Sequence, residues 1–244
     1  MSTNKSASLE ARIKNNIDLI QKIREYSLYN PTNENIRAEN YAAYADQVDS
    51  HMTQYREAYG ALINSIKDNA SIFTRLEKLS RDVRFEIGEV KGKQSAEYAQ
   101  VNSIVKLITG ENINEHSKMK KKVMGGLKEG DPKPEFSSVS ALDFKSKLGN
   151  FKSLIGLIRN YDFYAPAESN ITVTSLEAFE REVSGSLVNV ASRETNYTNK
   201  RSAVIHYFND ENGLKDRAAK AKMHVKRKYG VNSPEYKALV NRNY

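Results

Sequence analysis

Residues 19–48 read LIQKIREYSLYNPTNENIRAENYAAYADQV, and residues 154–183 read LIGLIRNYDFYAPAESNITVTSLEAFEREV. Set side by side without a gap, at an offset of 135, they share 11 identities in 30 positions. Composition alone gives roughly two matches, so the stretch reads as an internal duplication. Both copies place apolar residues at helical spacing up to a Tyr-x-x-Tyr-x-Pro signature, Tyr26–Pro31 and Tyr161–Pro166. Proline disfavours helix at the residue before it, so each first helix stops there. In the turns that follow, Asn35 and Asn170 are expected to satisfy backbone groups, and Ile36 and Ile171 to plug the core.

A second helix follows in each copy. In the first, Tyr41, Tyr44, Val48, Met52, Tyr55, Tyr59, Leu62 and Ile66 recur in steps of three and four. In the second, Thr174 and Glu177 have the spacing of a capping box, which sets the expected helix start there. Breaks are expected near Lys67–Asn69 and at Asn209–Gly213, beyond which the offset becomes 138. At that offset Leu214, Ala218, Ala221, Val225 and Tyr229 match Leu76, Ser80, Val83, Ile87 and Lys91. Gly92-x-x-Ser95 then matches Gly230-x-x-Ser233. Glycine suits a left-handed helix end, serine an N-cap, and Pro234 a first helical position.

These periodicities predict an all-α protein. The expected architecture is an elongated antiparallel bundle, coiled-coil-like, of two tandem homologous four-helix units with pseudo-twofold symmetry. The units are residues 1–108 and 139–244, joined by a polar linker over 109–138 and expected to share one core.

Composition narrows the chemistry. With 244 residues, 28% charged, the chain can solvate its surface, and 39% hydrophobic content suffices for a core. Cysteine is absent, which removes disulfides, thiolate metal sites and cysteine nucleophiles. No apolar run reaches the roughly 20 residues of a membrane span, and the first residues lack a signal-peptide core, so a cytoplasmic protein without membrane contact is expected. His51, His116, His206 and His224 fall in no zinc or di-iron motif. The run Gly125–Gly130 lacks phosphate-loop order, and no Gly-x-Ser-x-Gly elbow occurs. No catalytic residue, metal ligand or cofactor is therefore assigned. The tyrosine stripe at 41, 44, 55 and 59 reads as core with hydroxyls at its rim.

Charge is where the copies part. Residues 214–230 hold Lys215, Arg217, Lys220, Lys222, Lys226, Arg227 and Lys228 against Asp216, a net of +6. Residues 76–92 hold four basic and four acidic side chains. On a helical wheel Arg217, Lys220, Arg227 and Lys228 lie opposite the apolar stripe, with Lys215, Lys222 and Lys226 flanking it. That face is the candidate polyanion-binding site. Lys118, Lys120, Lys121 and Lys122 add a second basic cluster in the linker.

The functional expectation is a non-catalytic helical interaction or scaffold protein acting through a protein partner or self-association. The alternative is nucleic-acid binding through residues 214–230. An enzyme whose site has no linear motif is the third class; a deep polar pocket with convergent carboxylates would mark it.

Overall fold

The computed structural model describes residues 3–111, 143–240 and 244, with side chains from residue 9 onward. The expected linker beyond residue 111, with Lys118, Lys120, Lys121, Lys122, His116 and the glycine-rich run, lies outside the described residues. The described chain is all helical. Its helices are α1 (Thr3–Glu25), α2 (Ala38–Lys91), α3 (Ala96–Thr109), α4 (Phe144–Arg159), α5 (Val173–Asn209), α6 (Leu214–Tyr229) and α7 (Pro234–Val240). Short 3-10 turns at Glu34–Ile36 and Ser169–Ile171 lead into α2 and α5. Among the described residues no helix is long and apolar enough to cross a membrane.

The break expected near Lys67–Asn69 does not occur. α2 runs unbroken for 54 residues. A polar triplet lowers helix propensity by only a few tenths of a kcal/mol per residue, and no proline occurs between Pro31 and Pro132 to enforce a stop. Asn69 is instead buried, accepting a 2.9 Å hydrogen bond from the Ser186 hydroxyl. The other break is present: α5 ends at Asn209 and α6 begins at Leu214.

The Thr174 capping box is also corrected. α5 begins at Val173, and the side chain at its N-terminus is Thr172, whose hydroxyl accepts from the Ser175 amide at 3.3 Å. Glu177 is drawn away to an ion pair with Arg159. The serine caps are as expected: Ser95 Oγ accepts from the Tyr98 amide and Ser233 Oγ from the Tyr236 amide, both at 3.1 Å. Gly92 and Gly230 close the preceding helices with φ of +83° and +92°.

Helices group into two compact units, residues 1–63 with 192–244, and residues 64–191. This grouping differs from the 1–108 and 139–244 division because α2 and α5 each continue from one unit into the other. Each unit has its own apolar cluster. In unit 1 the cluster includes Leu19, Ile23, Met52, Phe208, Leu214 and Val225, with the buried Tyr41 hydroxyl donating to Asn16 Oδ1. Asn16 Nδ2 in turn donates to the Arg12 carbonyl at 2.8 Å, so no buried polar group in this pair is wasted. In unit 2, Leu76, Val83 and Ile87 of α2 pack with Val101, Phe151, Ile158 and Phe179.

The two signature turns carry the same bonds. Tyr29 Oη donates to the Ile36 carbonyl at 2.7 Å, and Tyr164 Oη to that of Ile171 at 2.6 Å. The Tyr29 and Tyr164 amides donate to the Tyr26 and Tyr161 carbonyls, each at 2.9 Å. Each hydroxyl staples a helix end to the 3-10 turn that starts the next helix. The turn asparagine was expected at position 35; it is Asn33 Oδ1 that accepts, from the Asn35 amide, while Asn40 Nδ2 donates to the Glu34 carbonyl.

Candidate functional site

α6 is an amphipathic helix in unit 1. Leu214, Ala218, Ala221 and Val225 are fully buried, as their spacing predicts. The basic side chains divide into two sets, and the wheel does not separate them. Arg217, expected opposite the stripe, is only 8% exposed. Its Nε donates to the Asn212 carbonyl at 2.7 Å, one terminal nitrogen donates to the Asn35 carbonyl at 2.6 Å, and its guanidinium carbon lies 3.9 Å from the centre of the Tyr44 ring. Arg217 lies three residues after Leu214 and four before Ala221, beside the buried stripe, and arginine is long enough to reach two carbonyls from there while stacking on a ring, which ties α6 to the 31–36 turn.

Lys220 is also engaged. Its Nζ lies 2.6 Å from Asp216 Oδ2 and donates to Asn212 Oδ1 at 2.9 Å. Lys222 Nζ lies 4.5 Å from the centre of the Tyr244 ring, and burial lowers its pKa. Lys215, Lys226, Arg227 and Lys228 remain exposed. Their charge faces water, and the last three are consecutive at the end of the helix, where cations complement the helix dipole.

Beside this face is an open cleft of about 650 Å³. One wall is Pro31, Thr32, Asn33 and Ile36; the other is Lys220, Met223, His224, Lys226 and Arg227. Met223 is 64% exposed, an unbranched apolar side chain among cations. The turn wall is held by the Tyr29 staple, by Asn33 and by Arg217, so its shape is fixed from three sides. His224 is buried at the floor, its ring centroid 5.1 Å from that of Tyr29. Its Nδ1 lies 3.3 Å from an Arg227 terminal nitrogen. Burial, with Arg227 and Lys228 adding repulsion, holds the histidine pKa below its ordinary value.

The cleft presents donors and an apolar contact, and no carboxylate lines it. That is a surface for holding an anionic group beside an apolar one. Among the described residues no group of three His, Asp or Glu side chains is placed to hold a metal ion. Sequence reasoning found α6 but missed Thr32, Asn33, Met223 and His224. Their only linear signal was the repeated turn itself, which gives no sign that α6 packs on it some 190 residues later. Comparison with protein-family models, with curated proteins and with solved structures finds no match to this chain.

Proposed function

We propose that this chain is a non-catalytic helical interaction protein, a scaffold working through protein–protein contacts, and that α6 with the 31–36 turn is its contact surface. One observation carries the reading: Met223 stands exposed in a braced cleft, beside the exposed Lys226 and Arg227. Exposed apolar side chains rimmed by charge are how protein contact sites are built. A photo-crosslinking residue at 223, introduced in cells, should give a discrete protein adduct that resists nuclease. A crosslinker at the exposed Ile205 serves as control. An adduct removed by nuclease, or no adduct, refutes the reading.

Nucleic-acid binding is the second reading, favoured by the consecutive exposed Lys226, Arg227 and Lys228. Internal use of Arg217, Lys220 and Lys222 leaves four exposed cations on α6. The salt dependence of duplex binding through this helix should then be no steeper than about −3.6 in log Kobs against log salt, from about 0.9 per phosphate contact.

The same proposal includes the tandem duplication. Helix starts recur at Ala38 and Val173, and at Ala96 and Pro234, matching the offsets of 135 and 138, and the tyrosine staples recur with them. Those coincidences support two homologous four-helix halves.

A further inference from the structure

The two walls of the α6 cleft, residues 31–36 and 220–227, hold four cations and one carboxylate. That carboxylate, Glu34, is paired with Arg37 at 3.2 Å. Of the cations, Lys220 is held by Asp216, and Lys222 lies over the Tyr244 ring. Lys226 and Arg227 are exposed at the cleft. Lys226 Nζ lies 5.9 Å from the centre of the Tyr236 ring, and Arg227 lies 3.3 Å from His224 Nδ1. Neither contact supplies a negative charge.

The turn does not need these two cations. At the offsets of 135 and 138 the walls correspond to residues 166–171 and 82–89. The apolar lining recurs: Pro166, Ile171 and Phe85 stand where Pro31, Ile36 and Met223 do. Gly88 and Glu89 stand where Lys226 and Arg227 do, and the second turn closes with the same tyrosine bond. A turn of this kind therefore forms without a cation at either position, which leaves the charge at 226 and 227 available to a ligand.

We propose that the occupant of the α6 cleft is a short acidic segment of a partner protein, carrying an aspartate or glutamate within a few residues of a large apolar side chain; this rests on the reading of α6 as a contact surface. The carboxylate meets Lys226 and Arg227, and the guanidinium offers it paired donors. The apolar side chain meets Met223, whose unbranched thioether adapts to varied shapes. The cleft volume, about 650 Å³, falls among those that enclose a ligand, about 300–1,000 Å³. A nucleic-acid duplex brings phosphates without an apolar partner for Met223. A bilayer surface is too flat to enter between two walls.

The test selects peptides from a displayed random library on the full-length protein. Recovered peptides should be enriched in aspartate and glutamate beside an apolar residue. Selection on Lys226→Glu with Arg227→Glu should enrich lysine and arginine instead. Both positions are exposed, so the fold is retained, which circular dichroism checks. One recovered acidic peptide, synthesised, should bind Lys226→Gln with Arg227→Gln about tenfold more weakly than wild type, as two exposed ion pairs allow. Met223→Ser should weaken it about fivefold. The labelled methyl resonance of Met223 should shift on binding, while that of the fully buried Met52 stays in place. Peptides without acidic enrichment, the same peptides recovered on the charge-reversed variant, or acidic peptides that leave the Met223 methyl unmoved each overturn the proposal. A Met223 methyl that moves with duplex DNA, with vesicles containing phosphatidylserine or with protein concentration, and not with acidic peptide, also overturns it. A protein adduct at 223 without acidic selection overturns the acidic class alone; the absence of both removes the contact surface as well.

Discussion

Replacing Arg217 by methionine tests whether its charge serves the fold or a ligand. Methionine keeps the length and helix propensity of the side chain while removing every donor. The structure supplies the magnitude. Arg217 makes two charge-assisted hydrogen bonds, to the Asn212 and Asn35 carbonyls, and stacks on Tyr44. Each charged hydrogen bond contributes about 1.5–3 kcal/mol, and the ring contact about 0.5–2 kcal/mol. These share one side chain and are not additive, so the expected loss is about 3–4 kcal/mol. Lysine can reach one carbonyl but not both, so Arg217→Lys should lose about 2 kcal/mol. Urea unfolding followed by circular dichroism at 222 nm is the assay, with the midpoint expected to fall by about 1 M for methionine. Lys228→Met, on the exposed end of α6, should stay within about 0.5 kcal/mol of wild type. If Arg217→Met is as stable as Lys228→Met, the tie to the turn does not hold in solution, and Arg217 returns to the set of free cations.

Further expectations concern the turns and the cleft floor. Tyr29→Phe and Tyr164→Phe each delete one hydroxyl bond and should each cost about 1 kcal/mol; a large difference between them in chemical unfolding would break the equivalence of the turns. Gly92→Ala should cost about 1–2 kcal/mol, because φ is +83° while the space around the added carbon is open; an unchanged melting temperature would show that this turn adopts another conformation. His224 gives a pH dependence. Its folded-state pKa lies below the ordinary value near 6.5. Above about pH 6.5 both states are neutral and stability is full. As pH falls below that, the unfolded chain takes up a proton that the folded chain refuses, so stability declines until the folded-state pKa is reached. His224→Gln should lose less stability than wild type between about pH 7.5 and 5.5; superimposable profiles would contradict the buried neutral ring.

Local chemistry was the legible part of this chain. The serine caps, the positive-φ glycines and the buried stripe of α6 each depend on neighbours within a few residues, and these are found, although Gly230 pairs its φ of +92° with an extended ψ of 157° and not with the left-handed helical value. The errors arise where distant residues decide. Lys67–Asn69 has the composition of a turn, yet Ser186, 117 residues away, gives Asn69 a buried partner inside a helix. Thr174 has capping-box spacing, yet Arg159 takes the glutamate. Arg217 follows Leu214 by three residues and precedes Ala221 by four, so helical spacing puts it beside the buried stripe and not opposite it; what the sequence hides is the Asn35 carbonyl, 182 residues earlier, that it reaches from there. The cleft was illegible for the same reason: its two walls share no local pattern, and only folding brings residues 31–36 to residues 220–227.

The grouping of elements also sets a schedule for synthesis. Residues 1–63 belong to a compact unit whose other part starts at Ser192. At the usual 5–20 residues per second, the ribosome needs roughly 6–26 s to make the intervening 130 or so residues. Through that interval Leu19, Ile23 and Met52 have been made while Phe208, Leu214 and Val225 have not. Residues 64–191 are contiguous and can close their own cluster first. Leu19, Ile23 and Met52 thus wait on partners made much later, and their apolar face stays open to a chaperone through that interval.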